Sequence, residues 1–135
     1  MKRTSSGVWR PKLIGPIAFA AVLSSAVPAS AHHSFAMFDK DKPLELQGTV
    51  KTWEFTNPHS WLVLEVMQGD SAVEYSIEGS SVNTLVRRGW GPKTFQPGEK
   101  VTVVISPLKN GARGGAFVKA TLADGTVMSE SPSPN

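Results

Sequence analysis

The chain contains three histidines, His32, His33 and His59, and no cysteine. Disulfides and thiolate metal sites are therefore excluded, and any transition-metal chemistry would rest on imidazole nitrogen. His32 follows Ala29-Ser30-Ala31, whose small residues have the pattern of a leader-peptide cleavage site. A chain cut after Ala31 would present His32 with a free amine and an imidazole on one residue. A second imidazole, from His33 or from His59, would complete a nitrogen set of the kind Cu(II) prefers. Cleavage after Ala29 would leave Ser-Ala-His, a different arrangement that is also copper-avid. His59 lies in Asn57-Pro58-His59-Ser60-Trp61, between a proline-fixed turn and an apolar run. There it fits a turn-capping ring that donates to a backbone carbonyl as readily as a ligand.

Catalytic constellations of other kinds are missing. The chain has no cysteine nucleophile, Gly-x-Ser-x-Gly elbow, phosphate loop or dinucleotide fingerprint. Ser60 adjoins His59, but adjacency in sequence does not make a nucleophile-base pair. A copper oxidase built on an N-terminal histidine would also need an extended substrate surface, and none is identifiable in the sequence. The expectation is a non-catalytic module, with copper as its candidate cofactor.

Residues 1–31 read as a secretory signal peptide. Lys2, Arg3, Arg10 and Lys12 form a basic start, and Leu13 to Val27 is apolar, interrupted by Gly15-Pro16. That stretch is short for a membrane span of roughly 20 residues, so the processed chain is not expected to span a membrane. The expected location is periplasmic or secreted. Four of the 14 basic residues and none of the 11 acidic ones precede His32, so the chain from His32 onward has 10 basic and 11 acidic side chains and a formal charge of −1. A nearly neutral domain lacks the positive field that drives nucleic-acid binding. The expected partner is a protein or small ligand of the envelope.

The elements that must position the histidines follow from patterning. Residues 32–43 form an arm whose Phe35, Met37 and Phe38 are too apolar for a free end and are expected to pin onto a domain at residues 44–128. Leu44 to Phe55 reads as a first strand whose apolar parity changes partway, which predicts a bulge or bend, as does Gly48. Trp61 to Met67 is a second strand, and Val73, Tyr75 and Ile77 alternate with polar residues as a third. Ser80 or Ser81 caps a two-turn helix carrying Val82, Leu85 and Val86 on one face, with Arg87 and Arg88 in its last turn. A fourth strand around Val101 to Ile105, a flexible glycine-rich connection Lys109 to Gly115, and a fifth strand Ala116 to Leu122 follow, with a short return at Thr126 to Met128. Residues 129–135 read as a loose Ser-Pro tail.

Three strands, a helix and two strands are the order of an OB-fold, a small Greek-key barrel. A β-sandwich is the alternative, though it ordinarily has more strands and no helix there. In the barrel, ligands contact strands two and three and the loops joining strands one to two and four to five. That would place His59 in one ligand loop and Lys109 and Arg113 in the other, with Trp53, Phe55, Trp61 and Tyr75 around the same end. These rings suit the barrel core first and a ligand platform second. The alternative to the copper reading is accordingly a metal-free module that binds protein, peptide or glycan through the barrel-face aromatics. The 12-residue arm spans roughly 40 Å when extended, enough to return along the barrel toward His59.

Ala31-His32-His33-Ser34-Phe35, Gly48-Thr49-Val50 and Asn57-Pro58-His59-Ser60-Trp61 together resemble a family of small exported bacterial proteins of unknown function. The likeness runs from about His32 to Met128. It implies export and a small β-barrel, and it brings no catalytic residue.

Overall fold

The computed structural model describes residues 35–130. Over that range the chain forms six strands: β1 Leu44–Glu54, β2 Trp61–Gln68, β3 Ser71–Glu78, β4 Lys100–Pro107, β5 Gly114–Thr121 and β6 Val127–Ser129. One short helix, α1 Val82–Val86, lies between β3 and β4. β1 pairs antiparallel with β2 on one edge and with β4 on the other. β2 pairs with β3, and β4 with β5. A parallel contact of Ser76–Glu78 with Gly114–Ala116 closes the cylinder. The circuit β1-β2-β3-β5-β4 is that of an OB-fold barrel, and β6 extends it from the far edge of β5.

Alternation explains why these segments are strands. Leu62, Leu64 and Val66 of β2 point inward, as do Val101, Val103 and Ile105 of β4, and all are buried. Trp90, Phe95 and Phe117 fill the rest of the interior with edge-on ring contacts. The parity change in β1 is a bulge between Val50 and Thr52. It turns Lys51 outward, where its ammonium pairs with the Glu74 carboxylate. Directly across the sheet, Glu65 faces Glu74. Like charges so placed repel, and Lys51 offsets them.

Several features differ from what the sequence led us to expect, among them the end of the barrel, because β6 includes Ser129 and Glu130 N–H donates to Val118 O, within the stretch that reads as a loose tail. The helix is five residues long, and Leu85 is fully buried while Val86 is 54 % exposed. Arg87 is its C-cap rather than part of its last turn. Among the described residues of the arm, Phe38 alone is buried. It bridges to Leu108, and Asp39 N–H donates to Pro107 O while Lys109 N–H donates to Met37 O. Phe35 and Met37 remain exposed. Finally, Gly114 and Gly115 belong to β5 and are buried, not part of a flexible connection. A Cβ on Gly114 would lie 2.5 Å from Ser76 O, and one on Gly115 would lie 2.3 Å from Ser106 O. These glycines are needed for close approach. Among the described residues, no helix is long and apolar enough to cross a membrane.

Gly115→Ala must displace backbone on the neighbouring strand. It is expected to lower unfolding free energy by about 1–3 kcal/mol, read as a fall in the urea midpoint with an unchanged m-value.

Candidate functional site

His59 lies in the connection between β1 and β2, and three sets of contacts hold that connection in place. Asn57-Pro58 is a cis peptide, and the Asn57 side-chain oxygen accepts from Val82 N–H at the start of α1 (3.1 Å). Thr56 Oγ1 donates to His59 O (3.3 Å). Ser60 is fully buried, and both its N–H and its hydroxyl donate to Ser80 O, at 3.2 and 2.9 Å. Gly79 N–H returns a bond to Ser60 O (2.8 Å). A side chain at position 79 would not fit, because its Cβ would lie 2.6 Å from Ser60 Oγ and 2.9 Å from a Glu130 carboxylate oxygen.

This junction orients the histidine ring. His59 Nδ1 is 3.0 Å from Glu78 Oε1 and 3.3 Å from Gly79 O. Both neighbours are acceptors, so the proton is assigned to Nδ1 and, in the neutral ring, the lone pair to Nε2. A carboxylate or carbonyl on one ring nitrogen is the arrangement that orients metal-ligating histidines and raises their basicity at the other. Glu78 is held close, its side chain only 12 % exposed.

Glu130 sits on the other side of the junction. Ser80 N–H donates to its Oε1 (2.8 Å) and Ser80 Oγ to its Oε2 (2.6 Å). Burial pushes its carboxyl above the ordinary range; the two Ser80 bonds and the nearby Arg88 guanidinium act in the opposite direction without cancelling it.

The other candidate residues divide between interior and surface. Trp53, Phe55 and Tyr75 pack against the core. The Trp53 indole donates to Gly91 O (3.0 Å), and its ring meets Phe95 edge-on at 5.1 Å. Tyr75 OH accepts from Gln68 Nε2 (3.1 Å). Trp61 has the opposite, outward parity. It pairs across the sheet with Glu54 on one side and Glu78 on the other. Lys109 and Arg113 lie in the β4–β5 loop, where Arg113 O accepts from Ser76 N–H (3.2 Å) near the end of β3. That loop, the arm and the His59 loop therefore all attach close to the end of β3. His32 and His33 lie outside the described residues. Among the described residues, no group of three His, Cys, Asp or Glu side chains is arranged to hold a metal. An open groove of about 370 Å³ beside Gly48, Glu65, Met67 and Lys100 contains none of the His59 cluster.

Sequence reasoning missed Glu78 and Glu130. Glu78 could have been found, since pairing the β2–β3 hairpin places it opposite Trp61. Nothing in the local sequence marks Glu130.

The sign of the Glu130 effect is testable. A carboxyl whose folded value is raised adds stability that is fully present below its unfolded value near 4.5 and is lost as pH rises through the folded value. As pH rises above 4.5, wild type should lose stability relative to Glu130→Gln, as measured by urea unfolding across a pH series.

A family model described as a family of unknown function, DUF6152, matches residues 20–118. No curated protein and no solved structure matches the chain.

Proposed function

The chain belongs to that family of unknown function, and we propose that it is an exported, non-catalytic binding module that holds Cu(II) through His59. His32 and His33 join the site after a leader ending at Ala31 is removed, and the protein works in the periplasm or outside the cell. The observation that carries this reading is the Glu78 carboxylate on His59 Nδ1, which directs the ring's lone pair to Nε2. Two further facts support it. Phe38 is clipped to Leu108, which ties the described part of the arm beside the β4–β5 loop. That loop is bonded to Ser76, two residues before Glu78. A freed His32 would add an amine and an imidazole, and nitrogen donors in a tetragonal set suit Cu(II) above other divalent ions.

The test is a Cu(II) titration followed by EPR on natively processed protein, with its N-terminus verified by intact mass. One tight equivalent with nitrogen hyperfine structure is expected. His59→Ala should weaken binding at least tenfold, and Glu78→Gln by about 10–100-fold through the misplaced ring. An added methionine before His32 should also abolish tight binding. Equal, weak binding in all forms would overturn the reading.

A second reading is favoured by the outward Trp61, set between Glu54 and Glu78. It is a metal-free protein-, peptide- or glycan-binding face, in which Trp61 remains of the expected ring set while Trp53 and Tyr75 pack against the core. A ligand-induced shift in tryptophan emission that disappears in Trp61→Phe would support it, and a shift that persists would count against it.

A further inference from the structure

The two carboxylates beside the His59 junction have different relations to the ring. Glu78 touches it. Glu130 makes its two side-chain bonds to Ser80, on the far side of the same short stretch of backbone. We propose that Glu130 is a positioning residue for His59: it clamps Gly79–Ser80, and that segment sets the orientation and tautomer of the ring. The proposal rests on the copper reading only for its metal-affinity consequence.

The path is short and continuous. Glu130 is anchored to the sheet, because its N–H donates to Val118 O (3.2 Å). Val118 is the extra residue where the β4–β5 register shifts, between the pairs Val104 with Lys119 and Ile105 with Phe117. The bulge thus supplies the carbonyl that fixes the base of the clamp. From there the carboxylate takes both Ser80 donors, N–H and hydroxyl. Charge-assisted bonds of this kind are stronger and geometrically stricter than neutral ones. Ser80 O in turn accepts both donors of buried Ser60, and Gly79 spans the gap from Ser60 O to the His59 ring. The segment has little slack, since Glu130 Oε1 would be 2.9 Å from any Cβ at position 79.

The burial of Glu130 bears on this. A carboxylate is costly to place where water is partly excluded, yet here both its oxygens are used on one residue next to the histidine loop. Without it, Ser80 N–H and Oγ lose their acceptors, and Gly79 O is no longer held beside Nδ1. The ring then keeps the Glu78 contact but loses its fixed contact with Gly79 O. Glutamine preserves the clamp, because its oxygen accepts from Ser80 N–H and its amide donates to Ser80 Oγ.

The experiment is long-range ¹⁵N–¹H correlation of histidine-labelled, natively processed protein without metal. It is recorded at about pH 8.5, above the ordinary imidazole range, with Cu(II) titrations in parallel. Wild type should show His59 as one Nδ1–H tautomer. Glu130→Ala should give a mixed tautomer signature and a loss of copper affinity of about tenfold or more, the scale of outer-shell effects. Glu130→Gln should restore the wild-type pattern. A folded Glu130→Ala protein with an unchanged His59 pattern would overturn the proposal. If that variant does not fold, Ser80→Ala decides by the same criterion, because it removes the hydroxyl half of the clamp. Absence of copper binding in wild type would defeat the copper reading alone, since the tautomer comparison needs no metal.

Discussion

Where β5 begins, the backbone must pass close to β3 on one side and β4 on the other, and Gly114-Gly115 is what lets it through. Without that passage the parallel contact between Ser76–Glu78 and Gly114–Ala116 could not form and the cylinder would stay open. Closure has two effects. It pairs the end of β3 with the start of β5, leaving less open edge to template unwanted pairing, and it draws the β4–β5 loop and the arm to the end of β3, where the histidine loop is also tied. The interior is filled by side chains, so ligand chemistry has to occur on the outside or in loops, as is general for small barrels.

At that end, backbone rather than side-chain volume does the positioning. Ser60 and Gly79–Ser80 exchange three hydrogen bonds across a gap too narrow for a Cβ, and His59 rides on the result. Every buried side-chain nitrogen and oxygen among the described residues has a partner. The site is thus an ordered junction with its polar groups satisfied. Its two carboxylates differ in what they meet: Glu78 bonds to the ring, and Glu130 bonds to the segment that carries the ring's second acceptor.

Much of the architecture was legible in the sequence because it depends on local alternation. The strands, the bulge in β1, the capped helix before β4 and the loop position of His59 all follow from parity and turn residues. What was not legible depends on contacts between distant segments. Gly114-Gly115 has the composition of a flexible loop, and only the neighbouring strands make it a constraint. Trp53 and Tyr75 read as core rings first and a ligand platform second, and they pack against the core; their inward parity follows from where the bulge falls and which face of β3 meets the core. Glu130, in a stretch that reads as tail, acquires its role from Ser80, fifty residues earlier.

The clip between Phe38 and Leu108 also bears on the order of assembly. The β1–β2–β3 meander needs only neighbouring segments, whereas Phe38 must wait for a partner 70 residues further along. Closing so long a loop is thermodynamically mild, since each doubling of length costs only about 0.6 kcal/mol. Its influence is on rate, because non-local contacts slow folding. The arm can therefore be captured only once Leu108, just past the end of β4, is in place, so its tie to the barrel depends on a segment most of the described chain away.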